Sequence, residues 1–236
     1  VFPSYVGIML TTLLMSFGFH YFETTQQSLT LQHFEKKVTP WVMGKQRSYQ
    51  AAANVLAGAS IFLLSPLLAY REMFLFFGLP VALLGLWALK QHPAMPKGPP
   101  QVKRMLLRRR YSLFYALTFM AGARRQVFVA FAVFLSVERF GFTLPEITAL
   151  FVVNNLLTYY LGPKIGKAII RFGERPVLMM EYICLIFVFL GYAFAQAKWQ
   201  IIVLYLLDHF FFSFKIALST YFQKIAHPQD IAPTVA

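Results

Sequence analysis

Charge is scarce in this chain. Charged residues fill 13% of its 236 positions, where a soluble domain carries about a quarter. Acids are scarcer still, with nine Asp and Glu against 22 Lys and Arg. Hydrophobic residues make up 58% of the sequence. That leaves too few polar side chains to cover a soluble domain, so the chain reads as an integral membrane protein. Cysteine is nearly absent: the lone Cys184 excludes an internal disulfide and any multi-cysteine metal site. No HExxH pair, no Gly-x-Ser-x-Gly elbow and no phosphate loop occurs. An enzyme is therefore not expected, and neither is a metal or a cofactor. The opening apolar stretch lacks the basic flank and small-residue cleavage site of a signal peptide. Beginning at Val1 and stopping within HPQDIAPTVA, the chain reads as a piece of a longer one.

What is abundant is continuous apolar sequence. A helix needs about 20 apolar residues to cross a bilayer core. Seven such spans can be drawn, at 5–33, 48–69, 73–90, 111–137, 145–162, 176–196 and 199–225. They do not alternate with period two, so helices are expected and a barrel is not. The connections alternate in charge. Segments 34–47, 91–110 and 163–175 are rich in Lys and Arg, whereas the other three loops carry only Arg71, Arg139 and Lys198. The positive-inside rule puts the basic set and the end of the last helix in the cytoplasm, with Val1 outside. The net charge of +13 then reports topology in a plasma (inner) membrane, and no nucleic acid partner is expected.

Segment 91–110 is also the main boundary. Its Pro93, Pro96, Gly98, Pro99 and Pro100 oppose helix. It divides the chain into blocks 1–90 and 111–236. Its tail RMLLRRR either serves topology alone or holds anionic lipid headgroups at 103–110. A weak echo links the two blocks: FHYFETTQQSLTLQ and FFFSFKIALSTYFQ both turn polar at Ser/Thr and end on Gln32 and Gln223.

Ionisable residues inside a membrane cost about 2.5–3.5 kcal/mol each on insertion scales and usually face protein or water. Here they cluster on every third span. The first carries His20 and Glu23, the fourth Arg124 and Arg125, and the seventh Asp208, His209 and Lys215. Bland readings exist for each. His20 and Glu23 share a helix face and can bond each other; Lys215 can snorkel; Arg124 can form a structural pair with Glu23 or Asp208. Glu181 lies near the start of the sixth span. Asn154, Asn155, Tyr159 and Tyr160 read as interhelical hydrogen-bonding groups.

The segment GPKIGKAIIRFGERPVL resembles the loop motif of the major facilitator superfamily. Gly162, Gly166, Arg171, Gly173 and Arg175 carry the match, while Ile170 replaces the motif's Asp and Glu174 its first basic residue. As the second copy of that motif, it implies family helices four to ten of a twelve-helix, two-bundle, all-α transporter. The Pro-rich segment then falls at the central linker, and the three charged spans become cavity-lining helices. Gly58, Gly78, Gly85 and Gly122 are expected to permit close helix packing.

The resemblance implies secondary transport by a monomer in the bilayer, and the intramembrane arginines point to a small anionic or zwitterionic solute. Substrate binding is assigned to Arg124, Arg125, Glu23 and Asp208, and proton coupling to His20, Glu23, Asp208 or His209. The two arginines point about 100° apart, so one contacts solute and the other neutralises Glu23 or Asp208. Multidrug efflux is the alternative, although YQAAANVLAGASIFLLSPLL lacks the Gly- and Pro-rich signature of the family's antiporters. A seven-helix photoreceptor is a more distant one, since MFLFFGLPVALLGLWAL offers no counter-ion to Lys215.

Overall fold

The computed structural model describes residues 5–64, 66–91, 100–104, 106–128 and 132–235. Pro93, Pro96, Gly98 and Pro99 of the linker lie outside them. Among the described residues there is no strand. The helices are α1 (Tyr5–His33), α2 (Thr39–Leu64), α3 (Tyr70–Leu89), α4 (Ser112–Val127), α5 (Val133–Glu138), α6 (Leu144–Phe172), α7 (Glu174–Phe194), α8 (Lys198–Phe212), α9 (Lys215–Ile225) and α10 (Ile231–Val235).

Among the described residues, four stretches are long and apolar enough to cross a membrane: Tyr5–His33, Arg71–Leu89, Glu174–Phe194 and Lys198–Ile225, the last taken across the α8–α9 turn. α2 and α6 have the length, at 26 and 29 residues, but their polar residues dilute the apolar run. The described α4 has 16 residues. Four of the seven expected spans thus meet both criteria.

Two expected loops are largely helix. Segment 34–47 is helical from Thr39, because Pro40 falls in the first turn, where a missing N–H costs nothing. Segment 163–175 continues α6 as far as Phe172 despite Pro163. A proline inside a helix leaves the carbonyl four residues earlier without a donor. Here that carbonyl belongs to Tyr159, and the Ser48 hydroxyl of α2 donates to it at 2.6 Å. The break comes only at Gly173, whose φ of 85° is left-handed and ends α6 while opening α7. The expected single helix over 199–225 is also divided, by a tight turn at Ser213 and Phe214, whose N–H groups donate to Phe210 and Phe211. No proline or glycine announces that turn.

α2 and α6 make the most extensive helix pairing. The α6 face is the small-residue pair Gly162 and Gly166, four apart, and the α2 face is Pro40, Gly44 and Ser48. A Cβ on Gly162 would sit 2.6 Å from the Gly44 carbonyl oxygen, and one on Gly166 2.8 Å from Trp41 Cα. Farther along, Asn54 donates to Asn155 at 3.0 Å. The glycines expected to pack closely do not: added methyls at Gly58, Gly78, Gly85 and Gly122 would meet nothing within 4 Å. Tyr160 faces outward, 65% exposed.

Contacts concentrate where α2 begins and α1, α6 and α9 end, which is the basic end of the molecule. The buried Gln223 amide donates to the Leu31 and Phe34 carbonyls at 2.7 and 3.0 Å, closing α9 onto α1. Lys224 pairs with Glu174 at 2.7 Å. The linker tail is held too. Arg108 forks onto Asp230, with Nε and Nη2 at 3.0 and 3.1 Å, and the Tyr111 hydroxyl donates to the same carboxylate at 2.8 Å. Arg108 is therefore committed to protein rather than left for a lipid headgroup. Away from this end, most large apolar residues of α3 and of the first half of α1 are exposed, a surface that calls for hydrocarbon or further protein.

Candidate functional site

The charged residues converge on two cavities that meet at Lys215. The first, of about 90 Å³, lies between α1, α2 and α9. Glu23, Gln26, Gln27, Gln46, Arg47 and Gln50 give it its polar lining. Gln27 donates to Ser219 and Gln46 to Thr30, both at 2.9 Å, which fixes two of the four amides. The second cavity, of about 140 Å³, lies between α4, α7 and the α8–α9 turn, and Arg124, Arg125, Glu181 and Phe212 line it. The turn at Ser213 and Phe214 is what brings Phe212 and Lys215 into it.

Phe212 is the hub. The guanidinium carbons of Arg47, Arg124 and Arg125 lie 5.2, 5.7 and 5.7 Å from its ring centroid. All three cations therefore fall within a sphere of radius 5.7 Å about one aromatic ring. A ring face attracts cations through its quadrupole, so Phe212 offsets part of the repulsion among them. Arg124 has a second partner. Its Nη1 sits 3.5 Å from Asp208 Oδ1, and both side chains are nearly buried, at 12% and 6% exposure. Among the described residues, neither contacting atom has a hydrogen-bond partner. This is an ion pair without a hydrogen bond, a costly arrangement inside a membrane. Glu181, buried on α7, lines the same cavity as Arg124.

The residues singled out in the sequence are thus separated. Arg124, Arg125 and Asp208 come together around Phe212. Glu23 lies across Lys215, where Arg47 is its cationic neighbour. His209 is packed among aromatics, 4.2 Å from Tyr205 and 5.0 Å from Phe128 by ring centroids, with Nδ1 against the Tyr205 carbonyl. His20 is on the exposed face of α1, in edge contact with Phe19, and lines neither cavity. Of the loop motif, Gly162 and Gly166 serve helix contact and Gly173 the break. Arg171 rests on Phe172 at 5.3 Å. The acid that joins an ion pair here is Glu174, with Lys224. Arg175 enters α7 in its first turn.

Arg47, Glu181 and Phe212 complete the cluster without a signal as site residues in the sequence. The Thr39–Pro40 pair is the one available clue to Arg47, since a proline that opens a helix puts Arg47 two turns inside it. Among the described residues, no group of His, Cys, Asp and Glu is placed to hold a metal ion.

Residues 1–235 match the family model described as Major Facilitator Superfamily. No curated protein and no solved structure matches the chain.

Proposed function

The chain belongs to the major facilitator superfamily, and on that premise we propose that it moves a small anionic or zwitterionic solute by alternating access. The observation that carries this reading is the convergence of Arg47, Arg124, Arg125 and Lys215 on two adjoining cavities in a chain with so little charge. Membership makes it a membrane transporter; the solute is inferred from the cations. Arg124 is paired with Asp208, which of the two neighbouring arginines leaves Arg125 to meet solute through its guanidinium fork. Glu23 and Asp208 are the proton-coupling candidates that border the cavities or their ion pair. His209 supports the aromatic wall, and His20 stands apart from both cavities.

Residues 1–90 and 111–236 are assigned to two bundles that rock about this midplane region. The basic end is assigned to the cytoplasm, so the close α2–α6 and α1–α9 contacts would correspond to a state shut on that side. Lys103, Arg104 and Arg109 remain exposed in the linker tail and are available to anionic lipid. The protein is taken to act as a monomer.

The test is uptake by the full-length protein in liposomes, across a panel of carboxylates, phosphates, zwitterions and hydrophobic cations, with and without a pH gradient. Uptake of anions or zwitterions that falls in Arg125→Gln supports the reading. Uptake confined to hydrophobic cations supports drug efflux instead. Undiminished anion uptake by both Arg124→Gln and Arg125→Gln would overturn the binding role.

A further inference from the structure

The cations at Phe212 come from different parts of the chain, and too few acids answer them. Arg47 lies on α2, Arg124 and Arg125 on α4, and Lys215 opens α9. Nearby acids are Glu23, Glu181 and Asp208. Of these four cations, only Arg124 has a carboxylate within ion-pair distance among the described residues. Arg47 and Arg125 both lie against the Phe212 ring, and Lys215 lines both cavities, sharing the first with Glu23. Next to the cations lies a different surface: the amides of Gln26, Gln27, Gln46 and Gln50. An amide offers donor and acceptor together, which suits hydroxyl groups and gives nothing to hydrocarbon.

We propose that Arg47, Arg125 and Lys215 together bind the anionic end of a hydroxyl-bearing organic acid or phosphate ester, while the glutamines of α1 and α2 read its hydroxyls. This rests on the transporter reading above and narrows its substrate class. The two arginines grip a carboxylate or phosphate through their forks, and Lys215 acts as a point charge. Arg124 stays with Asp208 and takes no direct part.

The test uses the full-length protein in liposomes and in detergent. The probes are gluconate, glucose 6-phosphate, glucose and hexanoate. Uptake and thermal stabilisation by gluconate or glucose 6-phosphate, but not by neutral glucose or apolar hexanoate, are expected. The two active probes tell the carboxylate and phosphate forms apart. Arg47→Gln and Lys215→Gln are expected to raise the half-saturating concentration at least tenfold, and Arg47→Lys, which keeps charge without the fork, to fall between. Monodisperse elution of each variant excludes misfolding, and Arg47→Lys retains a readout should Arg47→Gln not fold. Anion uptake unaltered in Arg47→Gln, Arg47→Lys and Lys215→Gln overturns this site and leaves the transporter reading intact. Equal uptake of hexanoate or glucose overturns the hydroxyl-bearing anion. If the wild type moves no anion or zwitterion of the wider panel, both readings fall.

Discussion

Ser48 on α2 donates its hydroxyl to the Tyr159 carbonyl on α6 at 2.6 Å, the acceptor that Pro163 deprives of its own helical donor. The helix defect and its repair lie on different helices, so each depends on the other. Ser48 is 5% exposed, and an unmet acceptor there should cost about 1–3 kcal/mol. Ser48→Ala is therefore expected to lower the unfolding temperature in detergent. With Ala at 163 the helix supplies its own N–H, and the same Ser48→Ala change should cost little. Equal losses in the two backgrounds would sink the coupling.

Next to this bond the two backbones touch. A side chain at Gly162 or Gly166 would meet backbone atoms of Gly44, Pro40 and Trp41, which cannot rotate away. Overpacking of this kind costs about 1–3 kcal/mol. Gly166→Ala should thus part α2 from α6, destabilise the protein, and speed labelling of a cysteine placed at Ser48. Gly58→Ala is the contrast. Its methyl meets nothing within 4 Å, and alanine gains about 1 kcal/mol of helix propensity over glycine. That variant should be as stable as the parent or more so.

Hydropathy made four of the seven expected spans legible and left their ends obscure, for a single reason. A bilayer filter registers where apolar residues run, and a helix continues wherever its backbone can bond. α2 starts in TPWVMGKQRS and α6 finishes in KIGKAIIRF, polar stretches that read as loops yet hold their turns. Arg47 was hidden by that error. The every-third pattern of intramembrane charge did point to α1, α4 and α8–α9, three of the five elements that border the cavities, and missed α2 and α7. It could not place Glu181 or Phe212, because one acid near a helix start and one Phe among 26 carry no distinguishing signal. Nor could it say which glycines pack. Gly58, Gly78 and Gly85 lie in apolar helix like any packing glycine, and only the partner's backbone separates them from Gly162.

The linker tail makes its own prediction. Asp230 is 1% exposed, accepts from Arg108 Nη2 and from Tyr111, and lies 3.0 Å from Arg108 Nε. Hydrogen bonds to a charged group are worth about 1.5–3 kcal/mol, less here because Arg108 is half-exposed. Asp230→Ala should release the tail from the segment that follows α9, and trypsin should cut at Arg108 to Arg110 faster than in the parent. Arg109→Ala, an exposed neighbour outside this network, should leave the cleavage rate elsewhere in the linker unchanged. If Asp230→Ala resists trypsin as the parent does, the tail is held by something else.

The Arg124–Asp208 pair separates a structural charge from a binding one. Both side chains are nearly buried, and their contacting atoms lack hydrogen bonds. Removing one member of a buried pair strands the other and costs about 3–5 kcal/mol, whereas replacing both is often close to neutral. Arg124→Gln and Asp208→Asn should each lower thermal stability in detergent, and the double variant should regain most of the loss. Transport divides the possibilities further. If Arg124 only neutralises Asp208, the double variant should also regain solute affinity, because Arg47, Arg125 and Lys215 still hold the anion. Should Asp208 carry the coupling proton, the double variant would bind solute yet lose the dependence of uptake on a pH gradient. Restored stability with unrestored affinity would place Arg124 on the solute after all and make its contact with Asp208 a resting position.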